Sequence, residues 1–361
     1  MIEEIEIKNF RGIPHLHVED TKDINIFVGN NSAGKTTVLE SIAYAYSNRN
    51  LMPVFLGYCR GIQNDDHLCL QSLFRQVEQK HHDILISIKD SDESHKLTLG
   101  IKPKTNEDNL VFGGDRGGDN FFDMQIKEAV AEYSRGKYKL RYQYKLATES
   151  GIRKGLTQKK IPSKEKASKP RNHWGKGVFH VHARNAISIN ETAQAITKIQ
   201  DSESLEAGFI EVIQSFNSKI KKLRNGINDN NSNIIKADFL NGDSLPVTLL
   251  GDGFCRFLLM LTGLYGSNSE VLTVDEIDSG IHHTNMTSIW RALIKANELS
   301  NKQIFCTTHS EEMLLATLEA FKDHQEKVRI YRIYEKDDQH FAQKYDYELY
   351  ESTAAAEMSV R

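Results

Sequence analysis

The sequence of 361 residues, 39% of them hydrophobic, is long enough to bury the core of one large domain or two smaller ones. Its formal net charge of -3 gives no general reason to expect a polyanionic partner, although a local basic patch is still allowed. The four cysteines lack metal-binding spacing, and no apolar run approaches the roughly 20 residues of a membrane span. We therefore expect a reduced, cytoplasmic protein without membrane contact.

The first predicted elements alternate between strands and one helix. Isoleucines recur within 2–7 as in a strand, and the apolar run 24–28 ends at a glycine, as a buried strand before a turn would. Residues 36–46 then have the composition of a helix. Further along, 84–88 and 96–101 alternate on either side of a polar turn, which predicts an antiparallel hairpin.

The later part of the chain contains a basic segment and a long apolar stripe. Residues 151–176 carry nine Lys or Arg and one acid, which predicts an exposed loop or flexible insert. Apolar residues between 205 and 223 recur at helical spacing and predict one amphipathic helix. We expect a single domain over 1–361, with an N-terminal lobe (1–145), a basic insert (146–178) and a C-terminal lobe (179–361).

The strongest chemical signal is GNNSAGKT at 29–36, which matches the phosphate-loop pattern at every fixed position. Because a predicted strand precedes it and a predicted helix follows it, its backbone N–H groups and the helix N-terminus would face nucleotide phosphates. Lys35 would reach the β- and γ-phosphates, and the Thr36 hydroxyl would bind Mg²⁺. The predicted nucleotide-binding residues of this loop are Gly29, Asn30, Asn31, Ser32, Ala33, Gly34, Lys35, Thr36 and Thr37.

Two further apolar strands end in residues suited to nucleotide hydrolysis. VLTVDE at 271–276 would bring Asp275 to the water shell of Mg²⁺ and Glu276 beside the attacking water. IFCTTHS at 304–310 would bring His309 within reach of the γ-phosphate, since ligands lie at the carboxyl ends of strands in open α/β sheets. The predicted catalytic residues are Lys35, Glu276 and His309, and the predicted metal ligands are Thr36 and Asp275.

Taken in chain order, IKNFRG, GNNSAGKTT, GDG, VDEIDSGIHH and TTHS resemble the ABC-type ATPase heads of the OLD, RecF and SMC group. The resemblance covers residues 1–50 and 180–361, and in particular it is to stand-alone OLD-like ATPases without a nuclease domain, several of which act in anti-phage defence. It implies an α/β fold, an ABC-type P-loop ATPase head whose mixed central sheet joins an antiparallel N-terminal lobe and a helical lobe.

Such heads dimerise head to tail, and each ATP lies between the phosphate loop of one subunit and the signature loop of the other. The resemblance assigns Gly251, Asp252 and Gly253 to the signature loop, which would offer backbone N–H groups and a helix N-terminus. Gly251 stands where the family usually has a serine. Asp252 would repel the phosphates unless Arg256 or a neighbouring subunit compensates, so slow hydrolysis or an ATP-held clamp is expected.

Three more residues match positions with known roles in the family. Asp278 matches the loop that touches the opposite subunit, His309 the switch histidine, and Arg11 an arginine near the nucleotide. The implied ligands are ATP and Mg²⁺, and the implied assembly is a homodimer or higher homo-oligomer held through the ATP sites. By contrast, histidines 180 and 182, histidines 282–283 and aspartates 337–338 favour structural roles in a strand, a cap or interface, and a turn.

Two functional classes stay open. The first is an ATP-driven sensor or scaffold that controls a separately encoded effector, such as a nuclease, in anti-phage defence. The second is a RecF-like DNA-repair ATPase that clamps DNA when it binds ATP, although RecF proteins carry a serine-containing signature and a different acid motif. The basic insert is either a solvated loop or a DNA contact made through phosphates, which would be strongly salt-dependent.

Overall fold

A computed structural model of the protein describes most of the chain outside three longer segments and several short gaps. The described residues are 1–46, 73, 76–77, 80–103, 126–135, 138–149, 152–161, 177–183, 189–227 and 232–355. Part of the predicted basic insert, residues 162–176, lies outside them.

The described elements are eighteen strands and seven α-helices. The strands are β1 (Ile2–Phe10), β2 (Ile13–Glu19), β3 (Ile24–Val28), β4 (Gln76–Val77), β5 (Lys80–His81), β6 (Ile84–Asp90), β7 (Ser94–Pro103), β8 (Ile126–Arg135), β9 (Tyr138–Glu149), β10 (Ile152–Ile161), β11 (Val178–Val181), β12 (Ile220–Ile227), β13 (Asn233–Phe239), β14 (Ser244–Pro246), β15 (Val271–Val274), β16 (Gln303–Thr307), β17 (Val328–Lys336) and β18 (Gln339–Tyr345). The helices are α1 (Lys35–Tyr46), α2 (Ile189–Gln200), α3 (Glu203–Phe216), α4 (Asp252–Tyr265), α5 (Met286–Ser300), α6 (Glu311–Ala320) and α7 (Tyr347–Ala355).

The central sheet has the strand order β11-β15-β16-β3-β17-β18. The first five strands are parallel, and β18 is antiparallel to β17. Every residue of β3, β15 and β16 is buried, as expected for parallel strands that are covered on both faces. The carboxyl ends of these strands therefore meet at one edge of the sheet.

An outer antiparallel sheet has the order β10-β9-β8-β7-β6-β1-β2. Its β6 and β7 pair as the predicted hairpin, and Ile5 and Ile7 of β1 are buried as the alternating isoleucines predict. These side chains share one hydrophobic cluster with Val38 of α1 and with Phe27 and Phe305 of the central sheet. Helix α1 thus lies between the two sheets.

Gln303 joins the two sheets through buried hydrogen bonds. The Ile2 N–H donates to its Oε1 at 2.8 Å, and its Nε2 donates to the carbonyls of Ile2 and Lys22 at 3.0 and 2.8 Å. A buried amide side chain with several main-chain partners fixes the relative position of the strands that it contacts. The N-terminal strand is in this way held against the central sheet.

The C-terminal helices and a small sheet, β12-β13-β14, build the helical lobe. Here the prediction of one helix through 205–223 is wrong, because α3 ends at Phe216 and Asn217 adopts extended angles. Ile220 and Leu223 are buried from strand β12 instead. In the described part of the chain, no helix has the combined length and apolar character to cross a bilayer.

The prediction of an exposed loop is also wrong for residues 152–161, which form β10. This strand pairs with β9 in antiparallel register from Ile152 opposite Glu149 to Ile161 opposite Arg141. Its lysines do not prevent pairing because lysine is common on strands at the end of a sheet. The observed layers otherwise agree with the predicted α/β architecture, a mixed central sheet with an antiparallel N-terminal lobe and a helical lobe.

Candidate functional site

The phosphate loop curls between β3 and α1 around the side chain of Lys35. Gly29 has a φ of 139°, and a Cβ there would lie 2.1 Å from the carbonyl oxygen of Ile333, so only glycine fits. Lys35 Nζ donates to the carbonyls of Gly29 and Asn30 at 2.7 and 2.8 Å. Residues 30–32, in the middle of the loop, are exposed.

Lys35 is buried, and its ammonium group has a perturbed protonation equilibrium. Burial lowers the pKa of Lys35 to about 8, while the nearby carboxylates of Asp275 and Glu276 act in the opposite direction. A phosphate group beside Nζ would supply negative charge at short range and favour the charged form. The geometry is therefore suited to an anion that enters the loop.

The two acids at the carboxyl end of β15 lie beside the phosphate loop. Asp275, at the end of β15, accepts hydrogen bonds from Thr36 Oγ1 at 2.9 Å and from Thr307 Oγ1 at 2.8 Å. The N–H of Glu276 donates to Thr307 Oγ1 at 2.8 Å. The structure thus brings together Lys35 and Thr36, Asp275 and Glu276, and Thr307 from three separate motifs.

A hydroxyl and a carboxylate side by side are oxygen ligands of the kind that Mg²⁺ prefers. Thr36 and Asp275 provide this pair, with their oxygens 2.9 Å apart. Within the described ranges, no group of three or more His, Cys, Asp or Glu side chains could hold a metal ion. The residues present therefore fit a cation that takes its other ligands from phosphate and water.

The loop after β16 lies beside the acid pair. His309 Nε2 is 4.0 Å from Glu276 Oε1, and both side chains are partly exposed. Next to them, Thr308 Oγ1 donates to Asp278 Oδ1 at 2.5 Å. Ser310 caps α6 by accepting a hydrogen bond from the Met313 N–H. His309 is thus held near Glu276, and Asp278 is tied to Thr308 of its own chain.

The predicted signature turn forms the N-terminus of α4. Gly251 is the cap residue with φ 92° and ψ 159°, and a Cβ there would meet nothing within 4 Å. Gly253 packs so tightly that a Cβ would lie 2.5 Å from the carbonyl oxygen of Gly280. Asp252 is exposed between them. The turn therefore rests on the 278–280 loop with Gly251 and Asp252 open to solvent.

Of the two alternatives for compensating the charge of Asp252, Arg256 or a neighbouring subunit, the structure does not support Arg256, because its guanidinium binds main-chain carbonyls. Arg256 is 7% exposed and donates to the main-chain carbonyls of Asp275 and Glu276 and to two carbonyls that follow β11. Local sequence gave no signal for this arrangement, because the acceptors lie 19 to 74 residues away.

Arg11 is also engaged within its own chain. Its Nη1 pairs with Glu40 Oε2 of α1 at 2.7 Å, and the Glu40 side chain is fully buried. The Arg11 N–H donates to the carbonyl of Leu73 at 2.7 Å. Arg11 thus lies against the helix that follows the phosphate loop, and contact with a nucleotide stays a prediction.

The remaining histidine and aspartate pairs have structural surroundings. His180 Nδ1 lies 2.7 Å from Thr273 Oγ1, and burial of the ring nitrogens lowers the pKa of His180 to about 4, although the residue keeps some exposed surface. His282 accepts a hydrogen bond from the Thr284 N–H and caps a short 3-10 helix. Residues 337–338 both have positive φ in the β17–β18 turn. These observations agree with the structural interpretations.

Comparison with known families and proteins adds independent findings. The family model described as "AAA domain, putative AbiEii toxin, Type IV TA system" matches residues 24–315. An "ATP/GTP phosphatase" of Helicobacter pylori is 22% identical over 338 residues, which cover 87% of this chain and 86% of that protein. A "DNA replication and repair protein RecF" of Clostridium tetani is 47% identical over 49 residues, only 14% of this chain and 13% of that protein.

Two solved structures that share the fold are heads of Smc proteins. The head in "Crystal structure of the SmcHead bound to the C-winged helix domain of ScpA" superposes with a TM-score of 0.50 at 11% identity, covering 96% of this chain and 97% of that one. A Smc head with an extended coiled coil, bound to a ScpA domain from Pyrococcus furiosus, also gives 0.50, covering 99% and 98%. The predicted fold class is thereby confirmed.

Proposed function

This chain belongs to the AAA-domain family whose model matches residues 24–315, and from that premise we propose that it is an ABC-type ATPase that binds ATP with Mg²⁺ and hydrolyses it. The observation that carries the proposal is the position of Asp275, hydrogen-bonded to both Thr36 and Thr307. Glu276 and His309 lie next to it, 4.0 Å apart. The groups to which we assign binding and hydrolysis thus share one edge of the central sheet.

Each residue has a role that follows from its chemistry. Lys35 would bind the β- and γ-phosphates as a charge-assisted donor, and backbone N–H groups of the loop would bind the others. Thr36 and Asp275 would hold Mg²⁺, which withdraws negative charge from the phosphates when bound. Glu276 would orient the attacking water and accept its proton, and His309 would contact the γ-phosphate region.

We further propose that two copies enclose ATP, with the signature turn of one facing the phosphate loop of the other. Gly251 supports this, since open space surrounds the position of its absent Cβ at the N-terminus of α4. A helix N-terminus with an exposed glycine cap is suited to a phosphate brought by another molecule. Asp278 would contact the partner from the loop on which the turn rests.

In the cell, this ATPase would act as a sensor or scaffold that controls a separately encoded effector in anti-phage defence. The proposal has support in the family description, which names a toxin of a type IV TA system. ATP-dependent closure of two copies would create or remove a surface for the effector, which links nucleotide state to effector control.

Glu276→Gln tests the ATPase and the assembly together. Loss of the general base should lower hydrolysis by about a thousandfold while ATP binding is retained. With ATP and Mg²⁺, the variant should accumulate as a dimer or larger oligomer in light scattering after size exclusion. Glu319→Gln, which changes an exposed glutamate of α6, is the matched control. Unchanged hydrolysis and an unchanged oligomeric state in Glu276→Gln would contradict the proposal.

A RecF-like DNA clamp is the alternative function. The local RecF similarity favours it, and β9 and β10 include several lysines and arginines on paired strands. Replacing Lys154, Lys159 and Lys160 by glutamine would then weaken ATP-dependent binding of duplex DNA. The slope of log affinity against log salt would flatten by about 0.9 for each DNA phosphate that no longer has a lysine partner. If this variant binds DNA with the same affinity and the same salt slope as the unaltered chain, the DNA-clamp alternative is contradicted and the defence proposal stands.

A further inference from the structure

One buried arginine connects the signature helix to the strand ends that carry the acid pair. Arg256 lies in the second turn of α4 and is 7% exposed. Its Nη2 donates to the main-chain oxygens of Asp275 and Glu276, the latter at 2.9 Å. Its Nη1 donates to those of His182 and Ala183 at 3.1 and 3.3 Å. A single guanidinium therefore binds the carboxyl ends of two adjacent parallel strands, β11 and β15.

The backbone of Glu276 needs such support. Its φ of 51° lies in the left-handed region, which a residue other than glycine holds only when its surroundings impose it. Its N–H donates to Thr307 Oγ1 at 2.8 Å, and the Ile277 N–H donates to the Thr307 carbonyl at 2.9 Å. Thr307 thus holds the N–H group of Glu276, and Arg256 holds its carbonyl group.

A second contact ties the same two regions together. The backbone of Gly253, in the first turn of α4, approaches Gly280 so closely that a Cβ would lie 2.5 Å from the Gly280 oxygen. The Asp275–Gly280 loop is therefore held by α4 at both of its ends. A displacement of α4 would carry the carbonyl of Glu276 with it, and its carboxylate would turn in consequence.

We propose that Arg256 is a positioning residue that ties the direction of the Glu276 carboxylate to the position of the signature helix. The proposal rests on the proposed function, in which the signature turn of a chain docks on the ATP held by its partner. Docking at one ATP site would then set the acid pair of the other site. Arginine suits this role because its planar fork reaches carbonyls on two strands, which a lysine ammonium cannot do in the same geometry.

Arg256→Lys is the test variant, since it keeps the positive charge and removes the fork. We expect kcat to fall by about a hundredfold, the effect of a displaced catalytic group, with the KM for ATP changed by less than about threefold. In the nucleotide-free protein, hydrogen exchange of the 275–279 amides should accelerate by about tenfold as their anchor is removed.

Lys302→Met is the matched control. Lys302 Nζ donates to the carbonyls of Gly263 and Ser267 at 3.0 and 2.7 Å, so it is a half-buried cation bound to the opposite end of the same helix. If Arg256 contributed only stability, both variants would have lower melting temperatures and the same kcat per folded molecule. We expect Lys302→Met to leave both kcat and the exchange of 275–279 unchanged.

Unchanged exchange over 275–279 in Arg256→Lys would overturn the inference, and so would a kcat loss no larger than that of Lys302→Met. If the unaltered chain does not hydrolyse ATP, the proposed function fails. The anchoring by Arg256 is then judged by exchange alone, because that measurement needs no nucleotide. The anchoring role of Arg256 would still be supported if exchange over 275–279 is faster in Arg256→Lys and unchanged in Lys302→Met.

Discussion

The two glycine-rich turns that each precede a helix differ in what surrounds them. In the phosphate loop, Gly29 lies directly under the carbonyl of Ile333, and Lys35 fills the inside of the curl. In the signature turn, Gly251 faces open space and Asp252 is exposed. The first turn is completed by its own chain, whereas the second presents its helix N-terminus to the outside.

The difference separates two uses of glycine at a helix N-terminus. Where the chain itself closes over the turn, glycine is required by contact, and the turn can hold a ligand without help. Where the turn stays open, glycine is required by backbone angle alone, and in the proposed function a second molecule completes the site. Three predictions test this comparison at the turns themselves, and a fourth tests the far end of the phosphate-loop helix, from the largest expected effect to the smallest.

Alanine substitution at Gly29 and at Gly251 should distinguish the free-energy cost of a steric clash from the cost of unfavourable backbone angles. Gly29→Ala combines a positive φ with a 2.1 Å clash, so we expect the free energy of unfolding to fall by roughly 4 kcal/mol or more. Gly251→Ala meets no atom within 4 Å and should cost about 1 to 3 kcal/mol through its backbone angles alone. Urea unfolding of both variants measures the contrast. Equal losses would break the comparison.

Lys35→Met should remove most of the ATP affinity of the closed turn. Loss of a charge-assisted hydrogen bond to phosphate is worth about 3 kcal/mol, or about a hundredfold in Kd. Fluorescent ATP titration of the monomer measures it, and Lys302→Met, the replacement of a half-buried lysine, should bind as the unaltered chain does. If Lys35→Met binds ATP normally, the phosphate loop does not hold the nucleotide as proposed.

Asp90→Asn tests the far end of the phosphate-loop helix, where the Tyr46 hydroxyl donates to Asp90 Oδ2 at 2.9 Å. Burial raises the pKa of Asp90, but the Glu93 and Asp92 amides and the Tyr46 hydroxyl outweigh it and lower the pKa to about 2. A carboxyl with a depressed pKa stabilises the fold above its unfolded pKa of 3.8, and this stability is lost as the pH falls toward 2.

We therefore expect Asp90→Asn to lower the free energy of unfolding by about 2 kcal/mol at pH 7, a difference that shrinks between pH 4 and 2. Urea unfolding across that range measures it. Asp323→Asn, at an exposed position, is the control and should stay within about 0.5 kcal/mol of the unaltered chain. A loss for Asp90→Asn that does not depend on pH would contradict the assignment.

Asp252→Asn should give the smallest effect, at the open turn. Arg256 is turned toward main-chain carbonyls, so the Asp252 carboxylate is left to repel the phosphates of a docked nucleotide. We expect ATP-dependent association to become about two- to fivefold tighter at low salt and to converge on the unaltered value at high salt. Asp243→Asn, another exposed acid of the same lobe, should change neither.

The site was predictable where its signals are local. Runs of five and four buried residues end at Gly29 and Asp275, and a glycine, an acid pair or a histidine immediately after a buried strand can be recognised without knowing the fold. The structure brings Lys35, Thr36 and Glu276 together as those signals predict. Their roles with ATP stay predictions until the experiments above are done.

The features that were not predicted depend on contacts between residues far apart in the sequence. Ile220 and Leu223 fit a helical period, but pairing with β13 makes them part of a strand. The lysines of β10 suggested a loop, but its backbone hydrogen bonds with β9 outweigh its composition. Arg256 was one of two candidates to compensate the charge of Asp252, whereas its carbonyl partners follow β11 and β15.

The place of β3 in the central sheet has a consequence for the timing of synthesis. This strand lies between β16 and β17, so its neighbours are translated about 275 and 300 residues after it. At typical rates of chain elongation, the delay is on the order of 15 to 60 s. Ile333, whose carbonyl closes over Gly29, is made later still than β16. In a nascent chain, the phosphate loop therefore lacks its neighbouring strands and the Ile333 carbonyl until nearly all of β17 has left the ribosome. Chaperones that recognise exposed apolar strands have that whole interval in which to bind β3.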